Sequence, residues 1–167
     1  RRTLPRRAPH RPSHFEKALT MHYVFVYGTL RRGEINDIYR LAQRRGLPAP
    51  AYLGMSSVPG RMVDFGDWPG LIEQAAPGRR VRGEVYAVDE ALLAAMDEVE
   101  EYDPAQDTLF VRRGTDLWIG ERSLHCQYYP INPGLVGEAV PIDHDDWVAY
   151  RLARNAPREL VTGAEPG

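Results

Sequence analysis

Residues 22–30 read His22-Tyr-Val-Phe-Val-Tyr-Gly-Thr-Leu30, and this stretch decides how the chain folds. Its first six residues are β-branched or aromatic after His22, without the polar alternation of a half-exposed strand. Such a run predicts a central strand that is buried on both faces. Gly28 then interrupts the run, because a residue without a side chain lets the backbone turn sharply and approach another group closely. The stretch therefore predicts a buried strand that ends in a bend.

The rest of the chain is rich in short strands. Asn36 and Asp89 are suited to cap two helices, and Gly46 is suited to end the first of them. In chain order the pattern predicts a helix over 37–45, short strands and turns over 47–70 with an irregular loop at 66–70, a strand over 81–88, a helix over 90–101, strands over 109–113, 117–119 and 123–129, and a last helix over 145–154. Strands and helices do not alternate regularly, which predicts an α+β sheet or barrel.

Length and composition limit the class of protein. The chain has 167 residues, of which 43% are hydrophobic and 26% are charged, and its formal charge is −2. This is the size of one domain, which can bury a core without a disulfide or metal. The composition argues against global disorder and a coiled coil. No apolar run approaches the ~18 residues of a membrane-spanning helix, so we expect no membrane partner.

Charge is distributed unevenly. Residues 1–20 hold six of the 21 Lys and Arg but one of the 23 Asp and Glu, which leaves 15 bases and 22 acids in 21–167. Nucleic-acid binding needs a basic patch, so the acidic body argues against such a partner. We predict a disordered basic extension over 1–20, a single domain over 21–156 and a loose tail over 157–167.

A single cysteine, Cys126, excludes an intrachain disulfide and favours a cytoplasmic location. His125 and Cys126 are neighbours on a predicted strand, so their side chains face opposite ways and do not form a nucleophile–base pair. The acidic run 143–146 precedes a predicted helix, where capping is a more common role than metal binding. Nothing in the sequence fixes the oligomeric state, and a monomer is the default expectation.

The predicted helix over 90–101 carries one carboxylate on its apolar face. At 100° per residue, Leu92, Leu93, Met96 and Val99 share a face, and Glu100 falls within it at about 80° from Leu92. The other glutamates of the helix point elsewhere, and Asp97 lies at the margin. Burial raises the pKa of a carboxyl toward neutrality, which suits a proton shuttle. A structural glutamate bonded to an Arg or Tyr is the alternative, and from the helix alone it is favoured.

The bend Tyr27-Gly28-Thr29-Leu30 is a second candidate. Successive backbone N–H groups after such a turn can bind an anion, especially a carboxylate. An ordinary strand-to-loop turn is the alternative. Two further side chains are weaker candidates for a binding site. Arg112 is a possible partner for an inward carboxylate, and one of Tyr128 and Tyr129 could line a cavity, since neighbours on a strand face opposite sides. We predict that Arg112 and Tyr128 bind the substrate.

Five blocks of the sequence together resemble the γ-glutamylcyclotransferase-like proteins, most closely the γ-glutamylamine cyclotransferase and avirulence-induced-gene-2-like group. They span about residues 22–112 and follow the family's order. The blocks are Val24-Phe-Val-Tyr-Gly-Thr-Leu-Arg31, Gly60-Arg-Met-Val-Asp-Phe-Gly-Asp-Trp-Pro-Gly-Leu71, Val81-Arg-Gly-Glu-Val-Tyr86, Met96-Asp-Glu-Val-Glu100 and Phe110-Val-Arg112. Two positions depart from the pattern: Glu101 replaces the usual Gly, and Phe110 replaces the usual Tyr.

The resemblance implies a small mixed β-barrel with two or three flanking helices and a cavity at one end. It implies that Glu100 is the catalytic residue and that Tyr27, Gly28, Thr29 and Leu30 bind the substrate. The implied reaction is attack by the α-amine of a γ-glutamyl-amine or amide on its own γ-carbonyl, which gives 5-oxoproline and a free amine and needs no cofactor or metal. Two alternatives remain open: a catalytically silent binding module that uses the same cavity, and acyl transfer or hydrolysis of a γ-glutamyl-protected intermediate.

Overall fold

A computed structural model of the protein describes residues 21–74 and 78–155. Three α-helices and seven β-strands make up this part of the chain. In order they are β1 (His22–Val26), α1 (Ile38–Arg44), β2 (Ala51–Asp64), β3 (Pro69–Glu73), β4 (Arg80–Val88), α2 (Glu90–Val99), β5 (Arg113–Ile119), β6 (Arg122–Tyr128), β7 (Val140–Pro141) and α3 (Trp147–Asn155), with a short 3₁₀ turn at Pro133–Leu135.

The strands form one mixed sheet in the order β3-β2-β4-β1-β6-β5, and β7 pairs with β2. β1 is central: it runs antiparallel to β4 and parallel to β6. The sheet curls into a half-barrel that brings β5 back toward β2, where the Ser56 hydroxyl donates to the Trp118 carbonyl oxygen at 2.6 Å. This confirms the predicted mixed, barrel-like α+β fold.

Both faces of β1 are buried, as its sequence predicts. Val24 and Val26 pack with α1 and α2 on the outer face of the sheet. Phe25 and Tyr27 point into the curled interior, where they pack with Leu71 and other apolar residues. Because successive side chains of a strand alternate between its faces, one short strand contributes to both halves of the core.

The prediction of short strands over 47–70 was wrong. β2 is a single strand of 14 residues with an irregularity between Tyr52 and Gly54. The glycines within this strand and a bulge obscure the alternation that marks a long strand. Part of the predicted irregular loop is the start of β3, which lies at the edge of the sheet, where a proline such as Pro69 is tolerated.

The first predicted helix is present, but Asp37 caps it instead of Asn36. The Asp37 carboxylate accepts the N–H groups of Gly33 at 2.7 Å and Tyr39 at 2.8 Å. Asn36 instead donates its side-chain amide to the Thr29 hydroxyl at 3.1 Å. Gly46 follows the helix with a φ of +63°, a conformation that favours glycine after a C-terminus.

The second half of the chain differs from prediction mainly at its element boundaries. The predicted strand over 109–113 is absent from the described structure: Phe110 makes an isolated bridge with Ile131, and β5 begins at Arg113. The helix expected from residue 145 begins at Trp147. The predicted extension over 1–20 and tail over 157–167 lie outside the described residues. Among the helices that are described, none combines the length and hydropathy needed to span a bilayer.

Candidate active site

A cavity of about 990 Å³ opens where β1 ends. Its wall brings together the two features that the sequence singled out, the bend Tyr27-Gly28-Thr29-Leu30 and Glu100 at the end of α2. The rest of the wall comes from neighbours of these two features and from segments that are distant in sequence: Phe25, Val26, Gly33, Glu34, Ile35, Asn36, Asp67, Trp68, Pro69, Val99, Glu101, Gln106, Asp107, Thr108, Leu109, Phe110, Tyr129, Trp147, Arg151 and Arg154.

The end of α2 fixes the direction of Glu100. Asp89 begins the helix by accepting the Leu92 N–H at 2.8 Å, and Glu100 is the C-terminal cap residue. Beyond it, the Glu101 N–H donates to the Glu98 carbonyl at 3.1 Å, and the Tyr102 N–H donates to the Asp97 carbonyl at 2.9 Å. These paired bonds form a Schellman motif, which satisfies carbonyl groups that the helix leaves open. Glu100 is therefore held on a defined helix end.

Glu101 occupies the left-handed position of this motif with a φ of +54°. The family that the motifs resemble usually has glycine at this position. A left-handed conformation costs a residue with a side chain about 1 kcal/mol or more, which accounts for that preference. We predict that Glu101→Gly raises the free energy of unfolding by about 1 kcal/mol. Glu101→Ala is the control, because it removes the same charge and keeps the strain. Equal urea midpoints for the two variants would contradict this interpretation.

Glu100 is a partly buried carboxyl in the cavity wall, and it has no ionic partner among the described residues. Burial raises its pKa to about 8, because removal from water disfavours the charged form. Within the described residues, no basic side chain forms an ion pair with it and no donor is bonded to its carboxylate oxygens. Such a group is protonated at neutral pH and stands ready to exchange a proton with a ligand in the cavity.

The neighbouring Asp97 takes the polar contacts that Glu100 lacks. Arg112 forms an ion pair with Asp97 through Nη1, and the Tyr129 hydroxyl donates to Asp97 Oδ1 at 2.6 Å. Arg112 is thus the partner of the carboxylate at the margin of the helix, and it is not among the described residues that line the cavity. Asp97 consequently orients Tyr129, which does line it.

Tyr128 lies away from the cavity. Its side chain packs in the interior of the half-barrel, and its hydroxyl donates to Glu73. Tyr129 is the member of this pair that reaches the cavity. The sequence prediction chose Tyr128, and the structure places Tyr129 in the cavity wall instead. The alternation of the strand indicates that the two tyrosines face opposite sides, but strand pairing decides which side each one faces.

Tyr27 holds the bend in place through its hydroxyl. The hydroxyl donates to the Tyr129 carbonyl at 2.7 Å and accepts the Leu71 N–H at 3.1 Å. Burial, and then the nearby Glu100 carboxyl, raise the pKa of Tyr27 well above its usual value, so it remains protonated. Its hydroxyl therefore ties β1 to the segments that follow β6 and begin β3.

The carbonyl groups of the bend point away from the ligand space. Those of Gly28, Thr29 and Leu30 accept the N–H groups of Arg31 at 3.1 Å, Asn36 at 2.9 Å and Ile38 at 3.0 Å, respectively. The N–H groups of Thr29 and Leu30, by contrast, donate to no described residue. Unpaired backbone N–H groups at the wall of a cavity are suited to hold a carboxylate or an oxyanion.

Gly28 is required by the close approach of Pro69. A Cβ atom at residue 28 would lie 2.7 Å from Cγ of Pro69 and 3.1 Å from its Cδ. We predict that Gly28→Ala destabilises the protein by about 1–3 kcal/mol. We also expect it to lower kcat/KM for the cyclisation that the family resemblance implies by about 100-fold, because it displaces the bend. Gly134→Ala is the control, since its Cβ would meet nothing closer than 3.6 Å. Unchanged kinetics and melting temperature for Gly28→Ala would show that the bend tolerates a side chain.

The fold and the site together define a class of protein: a small mixed half-barrel whose cavity wall holds both the Glu100 carboxyl and a backbone bend. The Thr29 and Leu30 N–H groups of this bend donate to no described residue. Residues 24–149 match the family model described as gamma-glutamyl cyclotransferase, AIG2-like. The chain belongs to this family, which confirms the resemblance that its motifs carry.

Relatives and solved structures agree with this assignment. The chain is 40% identical over 82 residues to human gamma-glutamylaminecyclotransferase, a match that spans 48% of this chain and 54% of the human protein. It is 39% identical over 136 residues to gamma-L-glutamyl-butirosin B gamma-glutamyl cyclotransferase of Niallia circulans, spanning 80% and 74% of the two chains. The crystal structure of a mouse AIG2-like protein superposes with a TM-score of 0.59 at 25% identity, covering 76% of this chain and 88% of that one.

Proposed function

We propose that this protein is a γ-glutamylcyclotransferase that cleaves γ-glutamyl-amines and releases 5-oxoproline and a free amine. Its family membership supports the reaction class, and its relatives are named for γ-glutamylamines and for γ-L-glutamyl-butirosin B. One observation carries the assignment of the site: Glu100, whose carboxyl has no ionic partner among the described residues, shares a cavity with the bend Tyr27–Leu30.

The reaction joins two atoms of one substrate molecule. The α-nitrogen attacks the γ-carbonyl carbon and forms a five-membered ring, and the bond between that carbon and the leaving nitrogen then breaks. Intramolecular attack is fast when the chain is held in a folded conformation, so the cavity contributes chiefly by fixing the geometry. The reaction needs neither water nor a second substrate, because every atom of the two products comes from one substrate molecule.

Glu100 moves the proton in this proposal. An ammonium group has no lone pair, so the α-nitrogen attacks as the free amine and loses one further proton as it becomes the lactam N–H. Glu100 in its ionised form accepts that proton and returns it to the leaving amine, so each turnover restores the enzyme. A pKa of about 8 makes the carboxyl a stronger base than an exposed glutamate.

The bend and Tyr129 place the substrate. The N–H groups of Thr29 and Leu30 hold either the α-carboxylate or the oxyanion that develops on the γ-carbonyl. The Tyr129 hydroxyl donates its hydrogen bond to Asp97, so its oxygen can accept a hydrogen bond from the α-amino group. We do not assign Arg112 and Tyr128 to substrate binding, because they contact Asp97 and Glu73 instead.

A panel of γ-glutamyl-amines tests the reaction. Purified protein is incubated with γ-glutamyl derivatives of several primary amines, and 5-oxoproline and the freed amine are quantified together. Equal amounts of the two products support cyclisation. Release of glutamate instead would indicate hydrolysis, and binding of 5-oxoproline without turnover of any substrate would indicate a silent binding module. Either of these results would overturn the proposed reaction.

We also propose that the protein works as a cytoplasmic monomer on a small-molecule substrate and does not bind nucleic acid. The cavity lies within one chain, the only cysteine is a free thiol buried in the core, and residues 21–167 are acidic overall. Sedimentation of the full chain at several concentrations tests the monomer. A mass twice that of the chain would contradict it.

A further inference from the structure

Arg31 and Glu84 form a buried ion pair beneath the bend. Arg31 Nε lies 2.9 Å from Glu84 Oε2, and the two residues are only 7% and 8% exposed. Neither is among the described residues that line the cavity, so neither touches a ligand there. The reaction proposed above leaves both of these charges without a role.

The Glu84 carboxylate collects three donors. Its second oxygen accepts the Arg32 N–H at 2.9 Å and the Tyr86 hydroxyl at 2.7 Å. Glu84 lies opposite Val26, the last residue of β1, in the register between β4 and β1. The central strand β4 therefore delivers this carboxylate to the point where the bend begins, and two of its three donors belong to the segment that follows the bend.

Helix α3 and the residue that caps it also bind the segment 31–34 that follows the bend. Arg31 Nη1 lies 2.9 Å from Asp146 Oδ1, and Asp146 also accepts the Ala149 N–H at the start of α3 at 3.0 Å. Arg151 of α3 pairs with Glu34 through two bonds of 2.9 and 2.7 Å. The backbone after Leu30 is thus fixed by charged groups from both β4 and α3.

A buried ion pair is a weak source of stability, because desolvation offsets most of its attraction. It is a strong source of geometry, since a planar guanidinium and a carboxylate bond only in defined orientations. The backbone that this pair orients carries the Thr29 and Leu30 N–H groups. The contacts therefore point to a role in aiming the bend.

We propose that Glu84 is a positioning residue, which acts through Arg31 and the Arg32 N–H to aim the N–H groups of Thr29 and Leu30 at the substrate. The inference rests on the proposed cyclisation for its kinetic consequence, but the position of the bend can be measured without any turnover. It adds a residue outside the cavity to those that determine the rate.

Glu84→Gln tests this role, because it keeps the shape of the side chain and removes its charge. We expect kcat/KM to fall about 100-fold, as for a misplaced binding group, while the pH at which the rate rises stays unchanged, because the surroundings of Glu100 are intact. The amide resonances of Thr29 and Leu30 in NMR spectra of the full chain are expected to shift. Glu73→Gln is the matched control: like Glu84, Glu73 accepts a tyrosine hydroxyl and lies outside the cavity wall, but its ion pair is with Arg113 and not with the segment that follows the bend. We expect kcat/KM within about twofold of wild type.

The outcomes separate the two proposals. Wild-type protein that releases no 5-oxoproline overturns the proposed function, and the amide resonances then still decide whether Glu84 positions the bend. A folded, active Glu84→Gln variant with wild-type kinetics and unshifted Thr29 and Leu30 resonances overturns the positioning role. If Glu84→Gln does not fold, Asp146→Asn tests the same role. Asparagine preserves the helix cap but removes the negative charge that pairs with Arg31. We expect it to lower kcat/KM and to shift the same two resonances, and unchanged values of both would refute the inference.

Discussion

Glu100→Gln is expected to reduce kcat for 5-oxoproline release by about 10²–10⁴-fold, the usual contribution of a general acid–base group. Glutamine has nearly the same shape and remains within the cavity wall, but it cannot accept the proton of the α-nitrogen. Because the bend is untouched, we expect the affinity for 5-oxoproline to change much less than kcat. The measurement is steady-state turnover of a γ-glutamyl-amine, together with calorimetric titration of 5-oxoproline into both proteins.

Glu98→Gln is the matched control for this experiment. Glu98 lies on the same helix, with its side chain 64% exposed and in an ion pair with Arg45 at 2.6 Å. We expect its kcat to equal that of wild type. Turnover that survives in Glu100→Gln would remove Glu100 from the mechanism, even if the cyclisation itself were demonstrated.

The pH profile of the wild-type enzyme provides a second readout of Glu100. The base must be ionised in the free enzyme, and its pKa is raised to about 8. We therefore expect kcat/KM to increase with pH below about 8 and to level off above it, once the ionisation of the substrate amine is taken into account. A rate that is independent of pH from 6 to 9 would contradict this assignment.

The second large effect is on the free energy of unfolding, which we expect to increase although the turnover falls. Glu100→Gln is expected to stabilise the protein at neutral and alkaline pH by an amount on the order of a few kcal/mol. The pKa of this carboxyl is about 4.5 in the unfolded chain, and burial raises it to about 8 in the folded one. Between these values the folded state retains a proton that the unfolded state has lost, so stability falls as pH rises.

Urea unfolding of wild type and Glu100→Gln at pH 4.5, 6 and 8 measures this term. The stabilities are expected to be similar at pH 4.5, and the gain of the variant is expected to grow by about 1.4 kcal/mol per pH unit above it, until the folded carboxyl ionises. Taking the difference between the two proteins removes the titration of all other groups. A gain that does not depend on pH would show that Glu100 is not enclosed in solution.

A loss of turnover together with a gain of stability is the result expected when a catalytic carboxyl that lacks a bonded partner is replaced. A structural glutamate bonded to a partner would lose stability on replacement, because the partner would be left unpaired in a buried place. The lack of an ionic partner for Glu100 among the described residues therefore supports the proposed catalytic role over the structural alternative that the helix alone favoured.

Local patterns in the sequence were enough to predict the central parts of the candidate site. The unbroken apolar run 22–27 predicted a strand buried on both faces, because period and composition are properties of the strand itself. The helical period placed Glu100 on the apolar face of α2, and Asp89 marked where that helix begins. These features depend on neighbours in sequence, so no long-range contact was needed to infer them.

Strand pairing and sheet curvature decided the rest. Three features depend on side chains that are distant in sequence. They are the pairing of Arg112 with Asp97, the contact of Tyr129 with Asp97 and the burial of Glu84 beside Arg31. The long strand β2 was missed because its glycines and bulge break the local pattern, while pairing with β4 restores its continuity. The sequence by itself predicted Glu100 and the bend Tyr27–Leu30 as the centre of the proposed site. Only the tertiary structure decided which of them meet, because the register between paired strands sets the direction of every side chain.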